Sequence, residues 1–252
     1  MRKWIPIVLG FFFIFASAAF GGEFPLTATY HFFDSSQPIG FCKISAKEKD
    51  GKILINSRTL VEGEDYRIDM NAETEADPVT FRTHRFTYDG TVDRRPVSGK
   101  FHLQEDSIYG YSETDGNGFS YEKKLDSSGV FPLQEFLMEH QILLARAYLS
   151  GEKYLMKCNV FFPSHTTATP ASITIESERE IPVGDKAVVC KKLVINVQSS
   201  SAIASFVDPK VNLPIYILFP ATQIEAFLES HYGEHPTPFY RKLEPSAEPP
   251  KE

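Results

Sequence analysis

From Leu26 onward, apolar and polar residues alternate in runs of strand length, and turn residues separate the runs. Leu26, Ala28, Tyr30 and Phe32 alternate with Thr27, Thr29 and His31. The stretch Asp34-Ser35-Ser36-Gln37-Pro38 reads as a turn before a second run from Ile39 to Lys47. Lys49-Asp50-Gly51-Lys52 predicts a tight hairpin, because Asp-Gly supplies the positive-φ positions of such a turn. A return strand follows over Ile53 to Val61. The cleanest alternation sets Tyr66, Ile68, Met70 and Ala72 against Arg67, Asp69, Asn71 and Glu73, as expected of a strand with one face buried and one wet. Further strands are predicted over Phe81 to Tyr88, Lys100 to Gln104, Ser107 to Tyr111 and Phe119 to Leu125, with turns at Asp89-Gly90 and Asp115-Gly116-Asn117-Gly118.

One segment breaks this rhythm. Between Pro132 and Leu149 the apolar residues Leu133, Phe136, Leu137, Leu143, Leu144, Ala147 and Tyr148 fall at helical spacing. Pro132 suits a first helical turn and Ser150-Gly151 suits a stop, so a single helix is predicted there. Strands then resume over Lys153 to Phe162, Ser172 to Ile181 and Ala187 to Gln198, with a turn at Pro182-Val183-Gly184-Asp185. Shorter runs lie at Leu213 to Phe219 and Thr222 to Leu228. The pattern predicts a mainly β, α+β chain: a curved antiparallel sheet or half-barrel wrapped around one central helix, which covers its concave side.

The ends change the picture of where such a domain works. Arg2 and Lys3, an apolar run from Trp4 to Phe15 and the small-x-small Ala16-Ser17-Ala18 have the order of a cleavable secretory signal, expected over 1–18. The apolar run is shorter than the roughly 20 residues of a spanning helix. No Cys stands near the cut, since the first is Cys42, so a free periplasmic protein without a stable membrane anchor is expected. A single β-rich domain is expected over 24–232. Beyond it the chain becomes polar and proline-spaced (Pro236, Pro238, Pro245, Pro249, Pro250), which predicts a disordered tail over 233–252. The formal net charge of −7 becomes −9 once Arg2 and Lys3 leave with the leader, which argues against nucleic-acid partners and adhesion to anionic lipid heads.

Three Cys allow at most one internal disulfide. Cys158 lies on the apolar side of Tyr154, Met156, Val160 and Phe162, and Cys190 two strands later beside Val188 and Val194. In a simple meander those strands are two spacings of about 4.8 Å apart, too far for a disulfide, so buried free thiols are expected.

Several local patterns carry a resemblance. Tyr30 through Gly40 is a strand and turn with Pro38-Ile39-Gly40 opening the next strand. The helix ends in Ser150-Gly151 with a strand at once after it. Val207-Asp208-Pro209-Lys210 forms an acidic turn ahead of the Leu213-Pro214-Ile215 strand, and a last strand ends near Phe227-Leu228. Over Leu26 to Leu228 this rhythm resembles a family of periplasmic domains of unknown function with the curved sheet and helix of the lipoprotein carriers LolA and LolB. The resemblance implies a fold and, by analogy, a carrier role; it brings no catalytic residues.

Candidate chemistry is sparse. His231 and His235 have a spacing that a helix could use for zinc, but Gly233 between them and Pro236 after them disfavour a helix. His84 and His102 are expected on solvated strand faces, and His140 at the helix surface or boundary. There is no Gly-x-Ser-x-Gly elbow and no phosphate-binding glycine loop, and the Glu62-Gly63-Glu64-Asp65 and Glu73-Thr74-Glu75 carboxylates read as solvated strand ends. No metal or cofactor is implied and no catalytic residue stands out. What exceeds an ordinary core is apolar surplus. A gap between helix and sheet, lined by Phe136, Leu137, Leu143, Leu144, Tyr66, Ile68 and Met70, would hold a lipid or other hydrophobic ligand. The expectation is therefore a soluble periplasmic carrier for a hydrophobic ligand or lipidated partner. The alternatives are an envelope scaffold that binds proteins through a sheet edge, and an enzyme whose site is assembled from scattered polar residues.

Overall fold

A computed structural model of the chain describes residues 26–229, apart from 36, 65, 105, 126–128, 135, 152–154, 164–165, 184–185, 199–201 and 221. The expected leader, the proline-spaced tail and the His231/His235 pair lie outside the described residues.

The strands are β1 (Leu26–Asp34), β2 (Gln37–Lys49), β3 (Lys52–Glu62), β4 (Arg67–Ala76), β5 (Thr83–Val92), β6 (Arg95–Leu103), β7 (Ser107–Thr114), β8 (Asn117–Lys124) and β9 (Val130–Pro132). After helix α1 (Met138–Ser150) come β10 (Leu155–Phe162), β11 (Thr167–Val183), β12 (Lys186–Val197), β13 (Ile203–Asp208), β14 (Leu213–Phe219) and β15 (Ile224–Leu228). All fifteen strands form one sheet in the order β8-β7-β6-β5-β4-β3-β2-β1-β15-β14-β13-β12-β11-β10-β9. Consecutive strands pair as antiparallel neighbours almost throughout, and β1 with β15 joins the two halves. An open sheet beyond about ten strands must curl to bury one face. Here the register shifts at Phe32/Phe33, Glu75/Ala76, Ile175/Ser177 and Phe206/Val207 assist, since bulges add twist. The result is a large curved sheet that does not close into a barrel.

The one parallel pair among the described residues, β9 with β10, explains the helix position. Parallel neighbours need a crossover connection, and α1 is that connection. It lies inside the curve, with every residue from Met138 to Tyr148 buried. The structure departs from the sequence pattern in two respects. The helix begins at Met138, not near Pro132, which instead ends β9 opposite Phe161. Leu133 and Leu137 are buried ahead of the helix, with the Leu133 N–H donating to the Phe161 carbonyl and the Leu137 N–H to the Gln134 carbonyl. His140 is not at the helix surface: it is 1 % exposed, because a helix ringed by sheet has no outer face.

Smaller corrections concern turns. Asp89-Gly90 lies within β5, and the turn comes later at Asp93-Arg94. Phe81 precedes its strand, with φ 57°, and Val207-Asp208 closes β13, a strand absent from the sequence reading. Glu73 and Glu75 lie within β4, where both reach Arg85, and Glu75 also meets Lys52. Cys42, Cys158 and Cys190 are all buried and free, as the strand spacing predicts.

Three two-residue hairpins share the same positive-φ pair: Asp50-Gly51 at 52° and 70°, Asp115-Gly116 at 53° and 77°, and Asp93-Arg94 at 51° and 65°. The third places a side chain where the others have Gly. A left-handed backbone costs a non-Gly residue about 1–2 kcal/mol, offset in part by the greater entropy of unfolded Gly. Arg94→Gly is therefore expected to raise stability by about 1 kcal/mol in urea titration; an unchanged midpoint would show that the turn is unstrained.

Candidate functional site

The inner face of the sheet can be followed row by row through its register. One row runs Tyr30, Cys42, Thr59, Met70, Gly90, Val97, Thr114 across β1 to β7. The next runs Ile44, Ser57, Ala72, Tyr88, Gly99, Ser112, Phe119 across β2 to β8. A third, nearer the strand ends, runs Val61, Ile68, Val92, Arg95. Over β1 to β3 these rows are covered by α1 and its approach: Thr59 Oγ1 donates to the Phe136 carbonyl at 3.0 Å and Ser57 Oγ to Glu139 Oε1 at 2.8 Å.

Over β4 to β7 the rows hold Gly90, Gly99, Ser112 and Thr114, and small residues cannot fill the space beneath the helix approach. A cavity of about 260 Å³ results. Met70, Phe86 and Leu137 line it, Tyr88, Val92 and Val97 continue the apolar wall, and Ser112, Thr114, Gln134, Asp93 and Arg95 supply polar atoms. Its volume lies just under the roughly 300–1,000 Å³ of common small-molecule sites. Gly90 is required here for close approach as well, since a Cβ on it would meet the Asp69 carbonyl; one on Gly99 would meet the Tyr88 ring, which lies across it and would have to swing away.

Of the seven residues expected to line a gap, the structure brings Met70 and Leu137 to the cavity wall. Phe136 and Tyr66 pack on each other nearby, ring centroids 6.0 Å apart, and Phe136 meets Phe32 edge-on at 5.4 Å. Ile68, Leu143 and Leu144 are buried in the core and do not line the cavity. Tyr88, Val97, Gln134 and Arg95 escaped the sequence reading. The available signal was the glycine pair Gly90 and Gly99, which marks a thin patch once both are placed on strands.

The helix carries a second concentration of polar groups. Glu139, His140, Gln141 and Arg146 are each at most 3 % exposed. Among the described residues Glu139 Oε2, both ring nitrogens of His140 and both amide atoms of Gln141 lack hydrogen-bond partners. Burial pushes the Glu139 carboxyl up to about 7 and the His140 imidazole down to about 3. Burial likewise pushes the Cys42 thiol up to about 12, with the Glu139 carboxylate adding to it, so this thiol is protonated and a poor nucleophile. His140 stands edge-on to Phe86, centroids 4.6 Å apart, and thus lies directly behind the cavity wall.

No protein family, curated protein or solved structure matches the chain. No helix among the described residues is long and apolar enough to cross a membrane.

Proposed function

We propose that this chain is an exported, periplasmic binding or carrier protein for a hydrophobic ligand such as a lipid or a lipidated partner. Binding comes from apolar burial, with no bond made or broken. The observation that carries the reading is the cavity of about 260 Å³ between β4–β7 and the approach to α1, with one apolar wall and a polar mouth. The order of charge, apolar run and small residues at the start of the chain supports export. The rhythm shared with the LolA/LolB-like domains belongs to the same proposal.

Native mass spectrometry of protein purified from the periplasm, followed by organic extraction, tests this. A bound apolar molecule near unit occupancy is expected, and Val97→Trp, which places an indole in the cavity, should cut that occupancy at least about tenfold, the loss of roughly 1.4 kcal/mol. A clean apo mass with no uptake of a fluorescent fatty acid would refute the carrier reading.

One observation favours the envelope-scaffold alternative. β8 ends the sheet and pairs in a ladder only with β7; its Tyr121–Lys123 stretch meets Phe161 and Ala168, while its other end leaves Phe119 60 % exposed. Such an edge can accept a strand from a partner. Photo-crosslinking from position 119 in the periplasm would then capture one defined protein, and a blank result would remove this alternative.

A further inference from the structure

We infer that the cavity takes a single-chain amphiphile with an anionic headgroup, held at the mouth by the Arg95 guanidinium. This rests on reading the cavity as a binding site and adds the ligand's chemical class. Register places Arg95 opposite Val92, which pairs with Ile68, so Arg95 extends the inner row of the apolar wall outward to the rim. Its charge is also uncommitted. On the other face of the neighbouring strands Arg58 pairs with Asp69, and Arg85 pairs with Glu73 and Glu75. Arg67, beside the mouth, reaches Glu62 at 3.8 Å.

Arg95 has no carboxylate within 4.0 Å among the described residues, in a chain with seven more acids than bases. Asp93, the acid at the mouth, is tied to β4: its Oδ1 accepts the Arg67 backbone N–H at 2.9 Å. The remaining polar wall residues, Ser112, Thr114 and Gln134, are neutral and can donate. A planar guanidinium with neutral donors beside an apolar recess suits a carboxylate or phosphate on an alkyl chain. The modest volume favours one chain over two.

Calorimetry with decanoate, decyl phosphate, decanol and decyltrimethylammonium, each below its micellar concentration and at low salt, tests this. The parent should bind decanoate or decyl phosphate about tenfold or more tighter than decanol, and the cation least, in line with a charge-assisted hydrogen bond. The two anions separate a carboxylate from a phosphate preference. Arg95→Gln should bring the anion-to-decanol ratio near one, and Arg95→Lys should restore part of it. Arg95 is exposed, so these variants should fold. Equal binding of anions and decanol by the parent, or a ratio unmoved by Arg95→Gln, overturns the headgroup assignment and leaves the cavity reading intact. Failure of all four probes to bind overturns both.

Discussion

Glu139→Gln should gain stability relative to the parent as pH rises from about 4.5 to 7, by about 3 kcal/mol in total. The folded-state carboxyl sits near 7 against an ordinary 4.5, because burial penalises its charge. A raised carboxyl is fully compatible with folding below 4.5. Above that pH the unfolded chain releases its proton while the folded chain retains it, so the stabilising advantage drains until the folded value is passed. At about 1.36 kcal/mol per pH unit the sum is about 3 kcal/mol. His140 acts oppositely. Its folded value is lowered to about 3 from an ordinary 6.5 by burial, so its contribution is present above 6.5 and is lost as pH falls toward 3.

Between 4.5 and 6.5 the two nearly cancel in the parent, and each substitution unmasks the other. Glu139→Gln should leave a protein whose stability falls on acidification across that window, and His140→Leu one whose stability falls on alkalinisation, each by about 3 kcal/mol over the two units. Urea midpoints in matched buffers measure this, and the variant-minus-parent difference removes contributions from surface groups. Differences that stay flat with pH would mean that both side chains are solvated in the folded state.

Phe161→Ala is expected to cost about 3–5 kcal/mol, the usual range for emptying a buried aromatic site. The ring is fully buried on β10, packs edge-on against Phe101 of β6 at 4.8 Å and lies tilted by 32° against Tyr121 of β8 at 5.4 Å. Those strands lie near opposite ends of the open sheet. Among the described residues no ladder joins the ends, so side chains make the seam, with Lys123 Nζ donating to the Ala168 carbonyl at 3.0 Å beside it. Loss of the ring should therefore speed hydrogen exchange on β7 and β8 before the rest of the sheet, as well as lower the urea midpoint. A loss below about 1 kcal/mol, with exchange unchanged, would show that the ends are held independently of this contact.

The candidate site was legible in the sequence only in part. Met70 reads as inward-facing because Tyr66 to Glu73 alternates strictly, and Leu137 through its place in a helical spacing, although the helix starts one residue after it. Leu143 and Leu144 were equally apolar but pack against the sheet, since hydrophobicity marks burial and not whether a neighbour leaves a gap. Arg95 was missed because its strand was expected to begin at Lys100. The turn before it lacks the Asp-Gly that marks the other two hairpins, so nothing local announced it.

By itself the sequence determined the things that depend on near neighbours along the chain. Period-two alternation gave most strands and their buried faces, Asp-Gly gave two tight turns, and strand spacing kept Cys158 and Cys190 apart. The tertiary structure decided what depends on distant partners. β9 exists because three residues find β10 beyond the helix, and that parallel pairing sets where α1 begins and draws it inside the curve. Once there, Glu139, His140 and Gln141 lose the solvent that their polarity would predict. The cavity arises where Gly90 and Gly99, in neighbouring rows of adjacent strands, leave the inner face thin near Leu137. Local patterns fix which way a side chain points, while pairing between remote segments fixes what it meets.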